Sequence, residues 1–261
     1  MASEDFPVGT AFVAGGSGGI GGAIVEAFAR AGSDVVFTYR SGAGRAEEVR
    51  KRAAAHGVSV EAREVRLEDP ASMAALLGEF ASANRKIHSF VYASGPRVKV
   101  GFVSDLDVDD WRFTFEHDTI ACFSFTKAAI AYLKANPLSE RQAGSITAIT
   151  SSQRFRPEAR GILSASPKAA IEALYMAVAK ENARFGIRAN IIQSGWVLAG
   201  QIADSMEGQL DDAAMKSIVA QIPLRRLGSP TEVAEGAVFV SSARASFITG
   251  ATLAIDGGMH L

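Results

Sequence analysis

The feature that most constrains this 261-residue chain is the stretch Ala14-Gly15-Gly16-Ser17-Gly18-Gly19-Ile20-Gly21. The apolar, strand-like run Thr10-Ala11-Phe12-Val13 leads into it, and the helix-like run Ala23 to Ala31 leads out. Strand, glycine turn and helix together form the arrangement that receives a dinucleotide pyrophosphate. The glycines allow a tight turn and close approach of backbone to phosphate, and the next helix offers its free N–H groups and positive dipole end. A glycine-rich turn also forms without any ligand, so the remainder of the chain has to decide between the two.

Apolar strand-like runs recur at Asp34–Tyr39, Val58–Leu67, Ile87–Ala93, Ser145–Thr150, Ile187–Gln193 and Ala251–Ile255. Helical patterns lie between them at Arg45–His56, Pro70–Asn84, Asp109–Ala135, Lys168–Phe185 and Thr231–Ser241, with a polar, irregular stretch carrying short helical patches at 200–224. Strands alternating with helices predict a parallel sheet covered on both faces. With no linker-like break, the expectation is a single domain over 1–261, with a substrate lid at about 197–224. Ligands of such sheets sit beyond the carboxyl ends of the strands, where strand order reverses. The segments after Ala14, Tyr39, Ala93, Thr150 and Gln193 are therefore the expected site walls.

Composition narrows the class. The 48% hydrophobic content supports a large core, and the net charge of −1 provides no general argument for nucleic-acid or anionic-membrane binding. No apolar run approaches the roughly 20 residues of a membrane helix. The acidic start Met1–Asp5 lacks the basic-then-apolar pattern of a secretory signal. One cysteine, Cys122, excludes an intrachain disulfide and suits a cytoplasmic location. His56, His88, His117 and His260 are scattered without metal-ligand spacing, so no metal is expected.

Several short stretches, in this order and spacing, resemble the short-chain dehydrogenase/reductase family over essentially the whole length. Ala14–Gly21 is similar to its T-G-x-x-x-G-x-G, with Ala14 in place of threonine, and Gly95 closes a degraded N-N-A-G. Gly144–Ser151 resembles the fifth strand and its serine, and Lys168–Leu174 the active-site helix. Gly186–Asn190 resembles the following strand, and Ile255–Gly258 the C-terminal turn. The resemblance implies an α/β, Rossmann-like doubly wound fold with a seven-stranded parallel sheet and helices on both faces. It implies an oxidoreductase that interconverts a carbonyl and an alcohol with a nicotinamide dinucleotide. It also implies a homodimer or homotetramer paired through the two long helices, although Phe113, Phe123, Phe125, Leu174 and Tyr175 could equally pack on their own sheet.

The family uses a serine, a tyrosine four residues before a lysine, and an asparagine. Carried over by position, Ser151 matches the serine and Lys168 the lysine, but Ser164 stands at the tyrosine position and Asp118, seven after Trp111, at the asparagine position. By the same resemblance, the cofactor-binding set is Gly15, Ser17, Gly18, Gly19, Ile20, Gly21, Arg40, Ser41, Arg66, Leu67, Ala93, Ser94, Gly95, Lys168, Ser194, Gly195 and Val197. Arg66 stands where an aspartate usually holds the adenine, Tyr92-Ala93-Ser94 replaces N-N-A, and Ser194 replaces a proline.

A serine hydroxyl is a far weaker acid than tyrosine's and sits on a shorter side chain, so Ser164 does not simply replace tyrosine. A water polarised by Lys168, or a protonated Asp118, are the alternatives. Ser166 followed by Pro167 reads as an N-cap and first helical residue. This places Ser164 in the preceding loop and puts an oxyanion-favouring helix start beside Lys168. The second strand ends in Tyr39-Arg40-Ser41 where NAD-selective proteins place an acid, which favours NADP(H) over NAD(H) through the 2′-phosphate.

The basic loops carrying Arg97, Lys99, Arg154, Arg156 and Arg160 suggest an anionic substrate, and Phe155 and Trp196 are candidate apolar walls. Two other classes stand beside the oxidoreductase. One is a nucleotide-binding protein without redox activity; the other is a non-redox enzyme on the same fold.

Overall fold

The structure is a computed structural model that describes residues 5–154, 158–199 and 212–261. Seven parallel strands form one sheet: β1 (Thr10–Ala14), β2 (Asp34–Tyr39), β3 (Val60–Glu64), β4 (Ile87–Tyr92), β5 (Gly144–Ser151), β6 (Ile187–Ser194) and β7 (Thr252–Ile255). Their order is β3-β2-β1-β4-β5-β6-β7, so the direction of winding reverses between β1 and β4. The helices are α1 (Gly19–Arg30), α2 (Ala43–Ala54), α3 (Pro70–Ser82), α4 (Val108–Thr114), α5 (Ala121–Ala135), α6 (Ile162–Asn182), α7 (Asp212–Gln221) and α8 (Pro230–Ser241).

Strand alternation sorts the core into two layers. Val13, Phe37 and Val91 face one side, where they pack with Ile24 and Phe28 of α1 and Val233 and Val238 of α8. Phe12, Val36, Phe90 and Tyr92 face the other, against Met73 and Leu77 of α3, Phe125 and Leu133 of α5, and Tyr175 of α6. Burial on both faces explains why the strands read as continuous apolar runs. Of the aromatic positions on the long helices, Phe125 and Tyr175 belong to this core, whereas Phe113 (44% exposed) and Phe123 (51%) lie outside it.

Two helices differ from expectation. The predicted helix over 109–135 is interrupted by one wide π turn, Phe115–Ile120, between α4 and α5. An inserted residue of this kind re-aims the side chains it carries, and Asp118 is one of them. The predicted start of the active-site helix near Lys168 is incorrect: α6 begins at Ile162, with Gly161 at its N-cap and Pro167 inside it. Pro167 cannot donate to the Leu163 carbonyl, so α6 forgoes one backbone hydrogen bond in its second turn. Ser164 is therefore helical, one turn before Lys168 on the same face, and no helix N-terminus lies at Lys168.

Candidate active site

The site begins at the turn from β1 to α1. Gly15 holds φ +79°, and a side chain there would press on Ala93 O at 2.8 Å. A Cβ at Gly21 would stand 2.2 Å from the Gly15 carbonyl, so only glycine lets the first turn of α1 tuck beneath the loop. Gly16 N–H donates to Thr38 O (2.9 Å) and Gly18 N–H to Gly15 O (3.1 Å), which pins the loop to β2. The N-cap Gly18 has no capping side chain, so the N–H groups that open α1 remain for a ligand. A concave backbone, a helix start and no competing side chain suit a pyrophosphate.

A cleft of ≈ 190 Å³ runs from this loop across the switch point. Its walls include Gly15, Ser17 and Gly18, then Arg40, Ser41 and Arg45 beyond β2, and Ala93, Ser94 and Gly95 beyond β4. The turn after β3 contributes Leu67 and Glu68. Arg66 is exposed and not on this lining. Gly19 and Ile20 lie in the first turn of α1, and Gly21 supports the loop from beneath. The lining does not reach Ser194, Gly195 or Val197, which continue from the end of β6.

Among the described residues, neither Arg40 nor Arg45 has an acidic partner, and both are exposed at the cleft. Arg45 folds back over Gly42, whose φ of +79° opens α2, with its guanidinium 2.8 Å from where a Cβ would stand. Two guanidiniums and the Ser41 hydroxyl at one end of the cleft suit a phosphate monoester.

Deeper in, Tyr92, Asp118 and Lys168 form one cluster. The Lys168 ammonium lies 2.9 Å from Asp118 Oδ1 and donates to Ser94 O at 3.3 Å. The side chains are 15% and 5% exposed, so the pair is largely removed from water. Tyr92 donates its hydroxyl to the Asp118 backbone carbonyl at 2.9 Å. Burial, aided by the Asp118 charge, pushes the Tyr92 hydroxyl well above its ordinary range, so it stays protonated. The π turn makes this cluster: it directs Asp118 inward from the helical run while leaving His117 on the cleft.

Ser151 ends β5 in register with Ser194 and accepts from Gln153 N–H at 3.3 Å. The preceding residues of both strands are tied to α6. Thr150 and Gln193 each donate to Glu172 Oε1 at 2.8 Å. On the outer wall, the Trp196 indole donates to Glu158 Oε1 at 2.7 Å. Lys99 is engaged by Asp110 at 2.9 Å, and Arg160 stands over the Phe102 ring at 5.6 Å, so two cations of the predicted anionic-substrate surface already have partners. Phe155 and Arg156, and residues 200–211 of the lid, lie outside the described residues.

The sequence reading missed Thr38, Tyr39, Val65, Glu68, Pro96 and His117 as cleft residues. Glu68 and Pro96 directly follow expected positions, so the motif boundaries could have indicated them. His117 had no signal beyond its place beside Asp118.

Comparisons with known proteins show the same family and fold. Residues 14–260 match the family model described as enoyl-(acyl carrier protein) reductase. Glucose 1-dehydrogenase 2 of Bacillus subtilis is 30% identical over 261 residues, covering 99% of this chain and 97% of that protein. A short-chain dehydrogenase/reductase structure from Serratia marcescens superposes with a TM-score of 0.85 at 26% identity, over 98% of this chain and 99% of that one. An Agrobacterium tumefaciens structure with bound NADP gives 0.85 at 27% identity, over 99% of both chains.

Proposed function

The chain belongs to the short-chain dehydrogenase/reductase family of NAD(P)-dependent oxidoreductases, and from that membership we propose that it interconverts a carbonyl and an alcohol using NADP(H), with an altered acid/base site. The observation that carries the cofactor choice is the pair Arg40 and Arg45 with Ser41 at the end of the cleft beside β2. An acid there would repel a 2′-phosphate, whereas these residues attract it. The A. tumefaciens structure of the same fold, which holds bound NADP, supports this reading.

Bound in the cleft, the nicotinamide dinucleotide supplies or accepts the hydride. Ser151 orients the carbonyl through its hydroxyl. Lys168 holds the nicotinamide ribose and polarises a water, and Asp118 fixes the ammonium in place. Ser164, one helical turn before Lys168, belongs to the water relay and is not itself the acid. The missing tyrosine leaves proton delivery as the weak step. General acid help contributes roughly 10²–10⁴-fold in such reactions, so simple ketones should turn over slowly.

The protein is read as one domain with residues 197–224 as the substrate lid. It is cytoplasmic and associates as a homodimer or homotetramer through the face bearing Phe113 and Phe123, which are exposed. Its substrate is a small molecule, and anionic recognition would fall to Arg97, Arg154 and Arg156. One observation favours a second reading: the Lys168 charge is neutralised by Asp118, which suits a nucleotide-binding protein without redox activity. Single-turnover oxidation of NADPH across a carbonyl panel separates the two. Turnover with any member supports the oxidoreductase, and tight NADPH binding without turnover across the panel supports the redox-inactive binder.

A further inference from the structure

His117 lies on the π turn beside Asp118 and lines the nucleotide cleft with Gly95 and Pro96, and also a surface recess with Trp111 and Phe113. Its Nδ1 is 2.9 Å from the Phe113 carbonyl. A carbonyl oxygen only accepts, so Nδ1 carries the hydrogen and the neutral ring presents Nε2 as an acceptor. The imidazole also packs against the Phe113 ring, with centroids 4.2 Å apart and planes tilted by 31°, so its orientation is set before any ligand arrives. No protein group among the described residues partners Nε2. The cleft groups assigned to the phosphates all donate: the N–H groups of α1, the guanidiniums and Ser41.

We propose that His117 is a nucleotide-binding residue whose Nε2 accepts a hydrogen bond from an O–H or N–H of the adenosine half of the dinucleotide. The proposal rests on the dinucleotide reading above. The adenosine half is the one within reach because the same cleft is lined by Arg40, Ser41, Leu67 and Glu68 at the ends of β2 and β3, the outer side of the switch point. The ring is held from behind, so this contact adds affinity without the cost of ordering a free side chain.

The test is titration of 2′,5′-ADP and NADPH into the full chain and three variants. His117→Asn keeps a donor for Phe113 O but removes the Nε2 acceptor, His117→Phe keeps the ring and removes both nitrogens, and His117→Gln restores an acceptor at the Nε2 distance. Asn and Phe should each weaken both ligands by about 3- to 10-fold, the scale of one net hydrogen bond, and Gln should recover most of the loss. Thermal melts confirm that each variant is folded. A reduced NADPH analogue carrying hypoxanthine, which lacks the adenine amino group, assigns the donor. It loses its sensitivity to His117→Asn if the amine is the partner and keeps it if a ribose hydroxyl is. Binding by the folded Asn and Phe variants that stays within about 2-fold of the wild type overturns the His117 role alone. A wild-type chain that binds neither ligand overturns the dinucleotide reading and this role with it.

Discussion

The Lys168 ammonium sits 2.9 Å from Asp118 Oδ1, and both side chains are largely out of water. Removing one member of such a pair leaves an uncompensated charge, at a cost of about 3–5 kcal/mol, whereas removing both costs much less. Asp118→Ala should therefore lower the unfolding free energy by about that amount in urea, and the double variant with Lys168→Met should recover a large part of it. Additive losses in this cycle would show that the pair is not coupled.

The missing acid gives a gain-of-function prediction. Ser164 lies on the Lys168 face of α6, one turn away. Ser164→Tyr places a phenol beside the ammonium, which holds its pKa down. Combined with Asp118→Asn, which frees Lys168 from its counter-charge, it should raise single-turnover ketone reduction by roughly 10²-fold, the lower range of general acid help. A double variant that binds NADPH normally and reduces ketones no faster than the parent would place the bottleneck elsewhere.

His88 predicts how stability depends on pH. It is 2% exposed, and burial lowers its pKa from 6.5 to about 4. Its ring nitrogens pair with Ser33 Oγ and Ser89 Oγ, both at 2.9 Å, and it stacks on Phe6. Between these pH values the unfolded chain binds a proton that the folded chain refuses, so stability falls as pH drops from 6.5 toward about 4 and is unaffected by this group above 6.5. The loss at the lower end is about 3 kcal/mol. His88→Gln should flatten that part of the urea-stability curve. An equal slope with and without His88 would contradict the assignment.

The sheet was legible from the chain alone because strands buried on both faces read as apolar runs bounded by turns. All seven are found near their expected places, and β3 alone is clearly shorter, at Val60–Glu64. The glycine loop was legible because Gly15 and Gly21 are required by backbone contacts that no other residue permits. The π turn was not, since one extra residue leaves the apolar periodicity of 108–135 almost unchanged. Pro167 misled, because α6 carries this proline in its second turn despite the backbone hydrogen bond it loses there. The direct Asp118–Lys168 pair and the place of His117 on the cleft depend on how that π turn aims its side chains, which sequence spacing does not encode.

The central claim is that the cleft binds a dinucleotide and that Arg40 selects its phosphorylated form. Fluorescence titration of NADPH and NADH with the wild type and Arg40→Ala tests it most directly. The account predicts tighter NADPH than NADH binding in the wild type. In Arg40→Ala, NADPH should weaken by about 10-fold, consistent with losing one charge-assisted phosphate contact, while NADH changes by less than about 2-fold. Wild-type protein that binds NADH more tightly than NADPH, or an Arg40→Ala variant that loses both nucleotides equally, would contradict it.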